Sequence, residues 1–160
     1  MNKNIDDIDR SILSALQADG AITNAELARR ISLSPPAVHA RIKQLETLGY
    51  IKQYVAVLNR EKLGYDMLCL VGVTLQMHQP EQIDRFHDEV RRMPEVLECH
   101  FLTGDFDYLL KVVVRNRKEL ERLLMDKLTR IPGVSRVSTS LVLGEIKNTL
   151  SLPLEQNGHE

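Results

Sequence analysis

Two stretches of the 160-residue chain place polar side chains at spacings that could do chemistry. The first is Ser34-Pro35-Pro36-Ala37-Val38-His39-Ala40-Arg41-Ile42-Lys43. Read as a helix, it sets Ala37, His39, Ala40, Arg41, Lys43 and Gln44 opposite an apolar face of Val38, Ile42, Leu45 and Leu48. An imidazole, a guanidinium and an ammonium on one helical face suit phosphate oxygens and base edges. Ser34 can cap its own helix or donate to a phosphate, and the free N–H groups of the first turn favour an anion. Arg41 is open to several uses: gripping phosphate, reaching a base, or pairing with Glu46 or a carboxylate of an earlier helix. The second stretch is Thr103-Gly104-Asp105-Phe106-Asp107. Gly104 permits close backbone approach. Asp105 or Asp107 could accept from an amino group while loop N–H groups receive a carboxylate, a pairing that suits a zwitterionic amino acid. The same residues equally fit a β-turn with an Asx cap.

Other chemistry finds little support. The histidines are His39, His78, His87, His100 and His159, and none stands in an H-x-x-x-H or H-E-x-x-H pattern. No P-loop or G-x-G-x-x-G is present. Cys69 and Cys99 form no C-x-x-C pair and read as small buried hydrophobes in apolar strands. Asp105 and Asp107 are too few ligands for a cation site. The expectation is a chain that is no enzyme and needs no metal or cofactor.

The elements that must carry the first stretch are helices. Ile5, Ile8, Ile12, Leu13 and Leu16 recur at helical spacing, with Asp6 as cap, Asp9 in the first turn and Gly20 at the end. Thr23 with Glu26 three residues on reads as a capping box, before the stripe Leu27, Ala28 and Ile31. A turn at Ser32-Leu33-Ser34 follows. Pro35 then takes the first position of a third helix, which closes at Gly49. Helix, short helix, brief turn and longer helix from Asp6 to Gly49 make a helix-turn-helix, whose last helix enters the major groove N-terminal end first. Ala37 and His39 are therefore better placed for bases than Lys43. Tyr50 to Leu58 reads as extended, a small wing or a linking strand, and Asn59 to Asp66 as an interdomain boundary.

The second stretch falls inside a strand-rich segment. Strands are expected over 67–75, 96–102, 108–114 and 134–143, with helices over 80–92 and 117–131. Met93-Pro94-Glu95-Val96 and Ile131-Pro132-Gly133-Val134 each end a helix and open a strand. The order β-α-β-β-α-β is the ferredoxin-like arrangement. Strands apolar on both faces would leave a sheet needing cover, which a second copy supplies by pairing two DNA-binding heads. The fold class is thus α+β, with a DNA-binding domain over 1–60, an effector and oligomerisation domain over 61–153, and a polar tail over 154–160.

Composition agrees. The chain is 43% hydrophobic and 27% charged, as a folded protein is. Residues 1–62 hold 9 Lys/Arg against 7 Asp/Glu, and residues 63–160 hold 12 against 15, so the basic excess lies where DNA would be touched. No apolar run reaches membrane-spanning length and no signal-peptide core opens the chain, so the cytoplasm is expected.

These residues resemble the Lrp/AsnC, or feast/famine, family of prokaryotic transcription regulators over nearly the whole chain. The likeness rests on Ile5-Asp6 with Asp9, Ile12 and Leu13, and on Thr23-Asn24-Ala25-Glu26-Leu27-Ala28. It continues in Leu33-Ser34-Pro35 with Val38, Arg41, Ile42, Leu45, Gly49, Ile51 and Tyr54. In the back half it rests on Thr103-Gly104-Asp105-Phe106-Asp107-Tyr108, and on Leu143 with Glu145, Lys147 and Thr149. The resemblance implies a winged helix-turn-helix joined by a strand to a RAM-type ferredoxin-like domain. It also implies homodimers assembling to an octamer on double-stranded DNA, and an amino-acid effector bound between dimers. By the resemblance, DNA contacts carry over best to Ser34, His39 and Arg41, and the helix reading adds Pro36, Ala37 and Lys43 beside them. Effector contacts would fall at Thr103, Gly104, Asp105 and Asp107, with Thr139 and Ser140 as neighbours. Pro36 stands where a Ser or Thr is usual and Ala40 where a longer polar side chain is frequent, so operator preference does not transfer. An effector-independent architectural DNA-binding protein is the alternative reading.

Overall fold

The computed structural model describes residues 5–77 and 79–154. They divide into two compact units: residues 5–57 together with 147–154, and Leu58–Ile146. His78 and His159 lie outside the described residues.

The first unit has three helices, α1 (Asp7–Ala18), α2 (Asn24–Arg30) and α3 (Pro35–Thr47). Their starts follow from the capping residues. Asp6 accepts from the Asp9 N–H at 2.7 Å, and the Asp9 carboxylate reaches back to the Asp6 N–H, closing a capping box. The box expected at α2 forms only by half. Thr23 Oγ1 accepts from the Glu26 N–H at 3.1 Å, but the Glu26 carboxylate turns to Arg29 and Arg30, charges within its own helix. Ser34 caps α3 through the Ala37 N–H. Ser32, at φ 56°, reverses the chain between α2 and α3. Ile12, Leu13, Leu27, Ala28, Val38 and Leu45 form the core. Leu48, expected on that face, is exposed, because α3 ends at Thr47 and Gly49 at φ 77° turns the chain away.

The second unit is a four-stranded antiparallel sheet in the order β2-β3-β1-β4. Its strands are β1 (Met67–Leu75), β2 (Val96–Phe101), β3 (Tyr108–Val114) and β4 (Val134–Leu141), with α4 (Pro80–Arg91) and α5 (Arg117–Arg122) between them. This is the ferredoxin-like β-α-β-β-α-β fold. Cys69, Val71, Val73 and Leu75 of β1, with Tyr108, Leu110, Val112 and Val114 of β3, pack against Phe86, Val90, Leu123 and Leu128. The second helix is not uniform: α5 passes into a π-helical turn at Leu123–Lys127 and a 3₁₀ turn at Leu128–Arg130. The Leu128 N–H bonds both the Leu123 and Leu124 carbonyls, and the wider turn brings Leu123 and Leu128 into one core.

The opposite sheet face is less apolar than the strand pattern suggested. Leu68 (4% exposed) and Val113 (6%) are already buried, while Leu70 (38%) shares the face with Lys111, Glu98 and His100, which pair with one another. Cys69 is buried as expected, but Cys99 is exposed, because β2 is the edge strand. The segment over 51–59 carries no ladder; the wing or linking strand foreseen there has no partner among the described residues.

The compact units divide at Val57/Leu58, and residues 147–154 pack with the helices. Leu152 exchanges two hydrogen bonds with the Gln17 side chain (2.6 and 3.1 Å), and Leu154 packs on the helical core. Polarity along the chain gives no sign of the first contact, because Gln17 and Leu152 lie 135 residues apart.

Candidate nucleic-acid interface and effector loop

α3 presents its N-terminal half outward. Ser34, Pro36, His39 and Lys43 are exposed and Ala37 is half-buried, while Val38 and Leu45 anchor the opposite side in the core. Ser34 is engaged as the helix cap. The His39 ring meets the first residue of α2: Asn24 Nδ2 donates to His39 Nδ1 at 3.3 Å. Two packed helices thereby share a polar contact near the N-terminal end of α3, a feature the sequence reading missed. Its only signal was Asn24 directly after the Thr23 cap.

Arg41 does not join this face. Its Nη1 donates to Asp6 Oδ2 and Asp9 Oδ1, each at 2.8 Å. Of the uses its position allowed, the structure shows the tie to the first helix. The same two carboxylates form the capping box of α1, so Arg41 locks α3 onto the start of α1. The Asp9 backbone N–H, and with it the Arg41 guanidinium, hold the Asp6 carboxyl below its ordinary range.

In the sheet unit the Thr103-Gly104-Asp105 tip is exposed, with Gly104 at φ 141°. Asp107 does a different job from Asp105. Its Oδ2 accepts from the Leu75 N–H at 2.7 Å, its N–H donates to the Val73 carbonyl, and its carbonyl accepts from the Leu102 N–H. It therefore pins the loop to β1. Phe106 supplies a second pin by lying across Gly72, where an added Cβ would come within 2.6 Å of the ring. The Arg136 guanidinium sits 5.9 Å from the ring centroid of Phe106. Thr139 and Ser140 are not brought to the loop of their own chain. They pair with Val71 and Leu70, whereas the loop is tied to Val73 and Leu75. β4 contributes Arg136 there instead.

His87 faces Tyr108, its Nε2 3.0 Å from the hydroxyl. Among the described residues no group of three or more His, Cys, Asp or Glu could hold a metal ion.

Comparison with known proteins bears on both units. The model of the winged helix-turn-helix DNA-binding family matches residues 5–52, and that of the Lrp/AsnC ligand binding domain matches residues 68–152. The chain belongs to the Lrp/AsnC family. Among its relatives is the leucine-responsive regulatory protein of Escherichia coli K12, 40% identical over 96% of this chain and 93% of that protein. Similar solved structures include a transcriptional regulator from Neisseria meningitidis in complex with L-Met, at TM-score 0.91 and 38% identity over 94% of this chain and 97% of that one. Escherichia coli AsnC superposes at TM-score 0.86 with 27% identity, over 94% and 99% of the two chains. The Lrp/AsnC chain described here is accordingly a DNA-binding transcriptional regulator with a ligand-binding domain, not an enzyme. No helix among its described residues is long and apolar enough to cross a membrane.

Proposed function

We propose that this Lrp/AsnC regulator reads operator DNA through the N-terminal half of α3 and answers to an amino acid or related small metabolite held against the Thr103-Gly104-Asp105 tip. The carrying observation is a division of labour within each unit: Arg41 and Asp107 are consumed by structure, while His39, Lys43 and the 103–105 tip stay exposed. Ser34, Pro36 and Ala37 border the groove-facing turn, and Lys43 grips phosphate. Thr139 and Ser140 enter the effector site only from another copy. The Neisseria relative bound to L-Met supports the amino-acid class.

The working form is a cytoplasmic homodimer assembling to an octamer. Val57 (80% exposed) and Leu58 in the connecting segment, and Ile146 (100%), are apolar surface that a second copy would cover. Paired heads match two half-sites, and the low net charge of one head makes several heads necessary for firm phosphate contact.

The test is duplex binding measured across salt concentrations with and without each amino acid in turn. Binding that weakens steeply with salt, prefers a selected duplex over random sequence, and shifts in affinity or assembly size with one amino acid is expected. Selective binding untouched by every amino acid would replace this reading with the architectural one. Absence of duplex binding at low salt would end both.

A further inference from the structure

We infer that Asn24 is a positioning residue for His39, fixing which ring nitrogen carries the proton and therefore which base atoms His39 can read. The inference rests on the proposed DNA-reading role of α3. Asn24 Nδ2 donates to His39 Nδ1 across 3.3 Å. A nitrogen that accepts a hydrogen bond presents its lone pair, so the neutral ring carries its proton on Nε2. The exposed ring of His39 then offers an N–H outward. In the major groove that donor fits the acceptors N7 and O6 of guanine, N7 of adenine or O4 of thymine. It does not fit the amino groups of cytosine or adenine.

The placement is rigid. Asn24 opens α2, whose start is held by Thr23 and whose Leu27 and Ala28 share a core with Val38 and Leu45 of α3. The amide and the imidazole are therefore carried on two helices that pack as one body. A first-turn side chain that neither enters the groove nor contributes to the core decides the hydrogen-bond polarity of one that faces the groove.

Two measurements test this. Long-range proton–nitrogen NMR on the full chain reads the His39 tautomer without DNA. The Nε2-protonated form is expected in the natural sequence, a mixture in Asn24→Ala, and a proton on Nδ1 in Asn24→Asp, whose carboxylate only accepts. An Nδ1-protonated neutral ring in the natural sequence, or a tautomer unmoved in both variants, overturns the inference.

The second measurement uses a duplex selected from a random-sequence pool, with 7-deazapurines (no N7), 2-aminopurine for guanine (no O6) or 5-methyl-2-pyrimidinone for thymine (no O4) placed one position at a time. At one position per half-site, loss of the acceptor should weaken the natural protein about fivefold or more and His39→Ala less than twofold. Asn24→Ala should fall between them while melting at nearly the same temperature. Sensitivity to removal of a base amino group at that position, or full acceptor sensitivity retained in Asn24→Ala, overturns it. Failure to recover any preferred duplex would defeat the DNA-reading proposal itself, and the NMR result would still decide the tautomer.

Discussion

Arg41 lies on the recognition helix, yet both of its recorded bonds lead to α1. Its side chain is one-third exposed and Asp9 less so, which places the pair between a surface and a buried ion pair. Arg41→Ala should lower the stability of the helical unit by about 1 kcal/mol, read as an earlier thermal or denaturant midpoint. Below that midpoint the salt dependence of DNA binding should stay unchanged. Lys43→Ala should instead lower the salt slope by about 1, because a phosphate contact releases a counterion. The Asp6 carboxyl adds a pH signature. Its folded-state pKa lies below the unfolded one, so its contribution is complete above about pH 4 and is lost as pH falls through the folded-state value. Melting curves followed from neutral pH into acid should show a falling midpoint there. In Arg41→Ala the fall should be shallower but present, since the Asp9 N–H remains.

A loop tip is only as well placed as the strands that hold it. Asp107 and Phe106 pin the 103–107 loop to β1 at the Leu75 N–H and over Gly72, so its two carboxylates should separate under mutation. Asp105→Ala should leave stability within about 0.5 kcal/mol and abolish any amino-acid response, as calorimetry would read. Asp107→Ala should cost about 1–3 kcal/mol, because it orphans the Leu75 N–H. Gly72→Ala should displace Phe106 and cost about 1–3 kcal/mol, with the effector response weakened although no effector contact is touched. An unchanged melting midpoint in Gly72→Ala would show that the ring does not need its seat. The π-helical turn at Leu123–Lys127 belongs to the same scale: it alters which leucines of one periodic stripe reach the core.

At the scale of the chain, the sequence visits the helical unit twice. It leaves at Val57 and returns at Lys147, so the sheet unit is an insertion between the head and its own last segment. Gln17→Ala combined with Leu154→Ala should reduce the stability of the helices by about 1–3 kcal/mol. Hydrogen exchange should quicken in α1 while the strands keep their protection. Equal exchange in α1 with and without these side chains would mean that the returning segment carries no stability. This double crossing gives the helical unit two covalent links to the sheet unit.

Capping residues, turn spacing and hydrophobic period are local, and they determined the helix-turn-helix, the succession of strands and helices along the chain, and the two polar stretches. Asp6, Thr23 and Ser34 each start the helix their side chains suit, because a cap needs only a partner three residues on. The same signals located the 103–107 loop but could not divide its labour. Whether Asp105 or Asp107 faces solvent depends on an N–H that β1 brings from residue 75. The sequence leaves Arg41 open between DNA, Glu46 and a carboxylate of the first helix, and only packing shows the carboxylates of Asp6 and Asp9 within 2.8 Å. Family likeness makes Thr139 and Ser140 neighbours of the loop, while strand register within one chain pairs them with Val71 and Leu70 and Arg136 lies over Phe106. The tertiary structure decided every partner far apart in sequence: Asn24 with His39, Gly72 with Phe106, and Gln17 with Leu152. Periodicity specifies which face of an element is buried; it carries no information about which distant polar group will meet a given side chain once the faces are packed.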